Sequence, residues 1–415
     1  MGPLASSFGS GSRNFLNSAK IPARPSLAAR WLAGRQRPGA TQSASAAAEY
    51  STRAKVTTAT PLAPLWVRQS VETLPMTINF HWTELARAIF AAFRHTFGPK
   101  FTLGLTVLAL CVGSATSQAL PQSGKPPNSK SFPIRVASQP FAITMGADGN
   151  FWFTLSNSNV VARITSRGTF TYFHTPTLSN PAFITPGPDG NIWFGEGSTG
   201  KIASVTPTGS TPTVTEIQFS FFGVSVGITT GSDGNIWFTD QTDHAVWRYN
   251  LSTGVFAEFQ TPTPNSFPGD ITTGADGNMW FTEQAVDQFG RITPSGVITE
   301  FSGVNSPSSI AAGPDGNIWI SSAFVSEVAR VTPTVEITIF QTPSPPTIIR
   351  PGNSNNLLFT EFSANKIASI TTDGVVTESA EFLGSGPTGI TAGVGNRVWF
   401  LGASINRVYA TVVPQ

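Results

Sequence analysis

The sequence predicts an all-β fold, a seven-bladed β-propeller with four antiparallel strands per blade. Three observations predict it. The segment Asp-Gly-Asn-apolar-Trp-Phe recurs, intact in four units and altered in three more, with its aligned asparagines at Asn150, Asn191, Asn235, Asn278, Asn317, Asn356 and Asn396. The successive spacings are 41, 44, 43, 39, 39 and 40 residues, the length of one four-stranded blade. Asp-Gly between apolar runs also marks a tight hairpin, because glycine accepts the positive φ of the turn.

The second unit reads strand by strand as 182–186, a Pro188-Asp189-Gly190 turn, 191–196, 201–207 and 213–219. Tryptophan follows the turn in six units, as Trp152, Trp193, Trp237, Trp280, Trp319 and Trp399, and Leu358 replaces it in the sixth unit. Each buried indole removes ~150–250 Å² from water. At ~25 cal/mol/Å² this is about 4–6 kcal/mol, an upper bound against an extended chain. These tryptophans therefore read as core between blades. Cys111 is the only cysteine of the chain, so no disulfide, thiol nucleophile or cysteine metal ligand serves residues 120–415.

The seventh unit lacks a fourth strand: it offers 390–392, 397–401 and 406–413 before the chain stops at Gln415. An extended segment, Phe132 to Ala137, lies unassigned ahead of the first unit. It is expected to pair with the last blade and close the ring, since an open edge leaves a row of unpaired backbone groups.

Upstream the composition changes. Residues 1–75 hold nine Lys and Arg against two acids and are rich in Ala, Ser and Pro, without an apolar period. They read as a disordered basic extension, with Met76 the better start. Residues 76–119 read as a signal peptide, or a retained signal anchor. Basic Arg87, Arg94 and Lys100 precede the twelve-residue apolar run Phe101–Val112, and Ser117 and Ala119 suit cleavage. Residues 120–131 are then a linker, and 132–415 the propeller. An extracytoplasmic, monomeric protein is expected, at a membrane only if the signal is uncleaved.

Export changes the electrostatics. Twelve of the 25 basic residues and three of the 23 acidic ones precede residue 120, which leaves 13 against 20. Such an acidic domain lacks the positive field that attracts nucleic acid, so none is expected as a partner. A small molecule or a protein is the expected partner.

The units PAFITPGPDGNIWFGE (181–196) and PGDITTGADGNMWFTE (268–283) resemble the repeats of streptogramin B (virginiamycin B) lyases, and more distantly NHL-repeat and gluconolactonase-like propellers. The resemblance implies elimination that opens an ester-closed ring, with histidine as general base and Mg²⁺ polarising the substrate. It places two histidines and two glutamates in the last two blades. In this sequence those positions are Thr347, Thr388, Gly386 and Ala403. No cofactor is therefore expected, and Mg²⁺ only if lyase activity is retained. Of the histidines past residue 119, His174 falls in an outer strand and His244 in a loop.

What remains is a set of acids ending second strands: Glu196, Asp240, Glu283 and Glu361, with Leu155, Ser322 and Gly402 in the other units. With His244 they are the candidate ligand-binding residues; none is assigned a catalytic or metal role. A structural part for the acids is weighed against this, through the inter-blade pairs Arg163–Glu196, Arg248–Glu283 and Arg330–Glu361. That would leave Asp240 as the acid most available to a ligand. The expected function is a non-catalytic binding module. The alternatives are a carbon-oxygen lyase or lactonase-type enzyme with a relocated site around Asp240, Glu283 and His244, and a structural envelope protein.

Overall fold

The computed structural model describes residues 126 and 128–413, except 208–212 and 222. The expected extension and signal lie outside the described residues. Seven four-stranded antiparallel sheets follow one another, each running from an innermost first strand to an outermost fourth. Blade two, for example, consists of Pro181–Pro186, Ile192–Glu196, Lys201–Val205 and Val214–Gln218, each strand a residue or two shorter than or offset from the span read in the sequence.

In blades one to five the turn between first and second strands is fastened by its own aspartate. Asp148 Oδ1 accepts from Asn150 N at 3.1 Å and from Trp152 Nε1 at 3.1 Å, while Oδ2 accepts from Asn150 Nδ2 at 2.9 Å. The same set recurs on Asp189, Asp233, Asp276 and Asp315. One carboxylate thus holds the hairpin and satisfies a buried indole N–H that would otherwise be stranded. In blade six Ser354 takes the aspartate's place where Leu358 takes the tryptophan's, so donor and acceptor are absent together.

In blade seven the sequence alignment was one residue out. Gly393 N bonds Arg397 O as Gly146 N bonds Asn150 O, and Thr391 pairs with Trp399 as Thr144 does with Trp152. Arg397, not Asn396, therefore occupies the repeat's asparagine position.

The ring closes as the sequence predicts, by an N-terminal strand in the last blade. The closing strand is Lys130–Pro133, two residues earlier than expected, and pairs with Arg407–Val412. Proline has no N–H, and the ladder ends at Pro133. Beyond it Asn406 Nδ2 holds the carbonyls of Ile134 and Val136 at 3.2 and 2.7 Å. Phe132 stacks on Trp399 at 5.7 Å between centroids, so the first strand carries its own hydrophobic anchor.

A two-blade period overlies the seven-fold one. Blades one, three and five end in Phe173-His174-Thr175-Pro176-Thr177, Phe259-Gln260-Thr261-Pro262-Thr263 and Phe340-Gln341-Thr342-Pro343-Ser344. In each, the first threonine's N–H bonds back to the loop between second and third strands, at Asn159, His244 and Ser326. Blades two, four and six, which follow these loops, are the ones that end their second strand in glutamate.

Candidate functional site

In every blade the start of the first strand lies opposite the end of the second, as Pro181 opposite Glu196 and Pro268 opposite Glu283. The loops that join one blade to the next emerge at the same end, which forms the entry face. It carries four well-exposed apolar side chains: Leu178 (85 %), Phe221 (87 %), Phe324 (64 %) and Leu383 (52 %).

The four positions where the family's reactive groups are expected also open on this face, and each has a structural task. Thr388 is buried and its Oγ1 donates to Pro140 O at 2.9 Å, tying blade seven to blade one. Thr347 is half-buried; its carbonyl accepts from Ser308 Oγ and Ser321 Oγ. Gly386 has φ +51°, and a Cβ there would collide with Ser404 Oγ and lie 3.0 Å from the Phe362 ring. Ala403 opens a short 3₁₀ turn, Ala403–Ile405, with its N–H bonded to Gly386 O at 3.1 Å. Neither a base nor a metal ligand stands here, so these residues do not fit the family's Mg²⁺.

The acids that end second strands are all fully buried beneath the face. Asp240 Oδ1 accepts from Val224 N at 3.0 Å and Thr242 N at 2.9 Å, and so pins the loops on either side. It is therefore engaged by backbone, and less available to a ligand than the arginine pairing left it. Glu196 Oε2 accepts from Thr199 Oγ1 at 2.8 Å. Burial is the largest cause that pushes Glu196 up to about 7 and Glu283 and Glu361 to about 8. The like charges of Glu300 and Glu378 add to it for Glu283 and Glu361. Burial raises Asp240 as well. In each case burial favours the uncharged acid, because a buried carboxylate without compensation is costly.

The arginines do bridge adjacent blades, but to carbonyls. Arg163 Nη1 donates to Pro207 O, Arg248 to Pro294 O, Arg291 to Pro333 O and Arg330 to Thr372 O, at 3.1, 2.9, 3.3 and 2.9 Å. Their guanidinium groups lie 5.3–5.9 Å from the ring centroids of Trp152, Trp237, Trp280 and Trp319. Among the described residues no ion pair joins Arg163 to Glu196, Arg248 to Glu283 or Arg330 to Glu361. The reason is register: Trp280 faces Arg291, whereas Glu283 faces Gln288. Counting eight residues on from the acid passes through the turn and returns three positions along the sheet, ~10 Å away at ~3.3 Å per residue.

His244 has φ +52°, the place held by Asn159, Asp287, Asn365 and Asn406 in other blades, and its ring lies edge-on to Phe267 at 4.7 Å. It is a turn residue. Among the described residues no three His, Cys, Asp or Glu side chains come together as a metal cluster.

One constellation escaped the sequence reading. Arg350 Nη1, on the innermost strand of blade six, contacts Asp270 Oδ2 at 2.8 Å and Ser309 Oγ at 2.9 Å on blades four and five. Its guanidinium also lies 5.1 Å from the Phe183 ring of blade two. The signal was an aspartate inside a first strand, where other units carry Ala142, Phe183, Gly227 or Gly389, and an arginine where most carry threonine. This ion pair spans the first strand of blade five and links blades four and six, which are not neighbours.

The chain matches the family described as the virginiamycin B lyase family over residues 119–308, 213–346 and 302–412. No curated protein matches it. Among solved structures it is similar to a catalytically inactive virginiamycin B lyase from Staphylococcus aureus with quinupristin. The two are 30 % identical with a TM-score of 0.63, over 69 % of this chain and 100 % of that one. A streptogramin B lyase structure matches at 29 % identity and a TM-score of 0.64, over 69 % and 97 % of the two chains. The extracellular domain of a hybrid two-component system from B. thetaiotaomicron shares the fold, at 14 % identity and a TM-score of 0.53, over 70 % and 43 %. By fold, repeat and family match, the chain belongs to the virginiamycin B lyase family.

Proposed function

We propose that this chain is an extracytoplasmic, non-catalytic member of the family that binds an apolar ligand on the entry face. The observation that carries the reading is the occupation of the four reactive positions. Two hold threonines with backbone partners, one a glycine that has no room for a side chain, and one an alanine. Threonine does not titrate near neutrality and cannot act as the general base that the elimination requires. The relative from S. aureus supports binding without turnover, since a catalytically inactive form of it was crystallised with quinupristin. Leu178, Phe221, Phe324 and Leu383 supply exposed apolar surface on the entry face.

Calorimetric titration with quinupristin, run beside an assay for ring opening of the same compound, tests this. Binding without linearisation over hours is the expected outcome. Linearisation that a chelator abolishes would sink the reading, and absence of binding would exclude this ligand class.

A further inference from the structure

Blades two, four and six each place a buried inner glutamate against an outer-strand glutamate. In blade two Lys201 Nζ sits 2.6 Å from Glu216 Oε2, beside Glu196. In blade six Lys366 Nζ sits 2.6 Å from Glu378 Oε2, beside Glu361. The lysine is in both cases the cross-strand neighbour of the inner glutamate. In blade four that neighbour is Gln288, opposite Glu283, and the outer glutamate is Glu300. Two carboxyl groups therefore meet here without the ammonium that accompanies them elsewhere.

The remaining groups are all oxygens. Glu283 is fully buried and neither of its oxygens completes a hydrogen bond, although the Ser266 hydroxyl and the Glu300 carboxyl lie beside it. Gln288 Oε1 is buried and unpartnered as well. Glu300 is held in place by Thr263, whose N–H and Oγ1 donate at 2.9 and 2.6 Å. The oxygens of Glu361 in blade six also lack hydrogen bonds, but Lys366 neutralises that site. Nothing comparable serves blade four.

We propose that blade four binds a calcium ion between Glu283, Glu300 and Gln288, in the place a lysine ammonium takes in blades two and six. Two carboxylates balance a divalent charge, which a monovalent ion would leave half met. Carboxylate, amide and hydroxyl oxygens are the donors that calcium takes in flexible geometry, whereas magnesium demands a tight octahedron and retains its waters. Without thiolate or imidazole in the set, softer metals have no preference for it. The site lies apart from the family's reactive positions, in a different blade.

The full chain is stripped with a chelator, then titrated by calorimetry and melted with calcium, magnesium or potassium chloride. One calcium per chain should bind, and at about a hundred times its dissociation constant should raise the melting temperature by about 5 °C. Gln288→Lys, which installs the ammonium found in blades two and six, should fold and lose the calcium response. Glu300→Gln should lose it also, which keeps the test intact if the lysine is not accommodated. A wild-type chain indifferent to calcium overturns the proposal, since a shared proton then suffices for the two carboxyls. So does an undiminished response in Gln288→Lys, and equal stabilisation by magnesium overturns the choice of calcium.

Discussion

Glu361 illustrates what burial does to a single carboxyl in this fold. It is fully enclosed, and desolvation first, then Glu378, pushes it up to about 8. Below its ordinary value of 4.5 the folded and unfolded chains both hold the proton. Between there and about 8 only the unfolded chain releases it, so each step up in pH favours unfolding. Glu361→Gln removes the ionisation and keeps the shape. It should leave the melting temperature little changed at pH 5 and raise it at pH 8, by on the order of 2–4 kcal/mol of stability. Melting curves across that window check it, and a variant equally stable relative to wild type at both pH values would show that Glu361 is not protonated in the fold. Gly386 makes the complementary point. A glutamate there would need a side chain at φ +51° against Ser404, so that substitution alone would strain the turn.

At the scale of the element, the working unit is a turn, an indole and an arginine. The aspartate fixes the turn and the indole N–H. The arginine covers the indole face and reaches the next blade's carbonyl. Arg248→Ala removes a charge-assisted hydrogen bond, a cation–π contact and the packing of the stem. A loss of about 1–3 kcal/mol is expected, a fall of about 2–6 °C in melting temperature. Arg291, whose bond to Pro333 O is longer at 3.3 Å, should cost less. Parallel thermal melts decide the order.

The element was largely legible in the sequence because its residues are contiguous. Asp233, Asn235 and Trp237 announce their own hairpin, and the repeat length announces the sheet around it. The arginine's partner was not legible, because it is a backbone carbonyl on the next blade and leaves no side-chain signature. Glu196 and Glu283 were visible as recurrent acids, but their burial was not. It depends on loops such as Thr261–Phe267 folding over the sheet end. The Asp270–Arg350 pair lies 80 residues apart in the chain and joins blades four and six, a distance no local pattern encodes.

At the scale of the molecule, the ring depends on how its two ends meet. Without disulfides, closure rests on four paired residues, Lys130 to Pro133, and on the side chains they carry. Phe132 lies against Trp399, Ile134 is buried, Ser129 Oγ and Thr411 Oγ1 share a 2.7 Å hydrogen bond, and Asn406 ties the continuing backbone. Removing residues 130–137 should expose the Arg407–Val412 edge, take Phe132 from Trp399, which keeps only its stack on Phe151 at 4.2 Å, and free blade seven to separate from blade one. Two apolar side chains of this size represent about 3–6 kcal/mol. A fall of about 10 °C or more in melting temperature is expected, with association of the truncated chain through the bare edge. A shorter truncation ending before Lys130 leaves the strand intact and should melt as the full propeller does. If both truncations melt alike, the seam between blades seven and one is held by contacts such as that of Thr388 with Pro140 instead of by the closing strand.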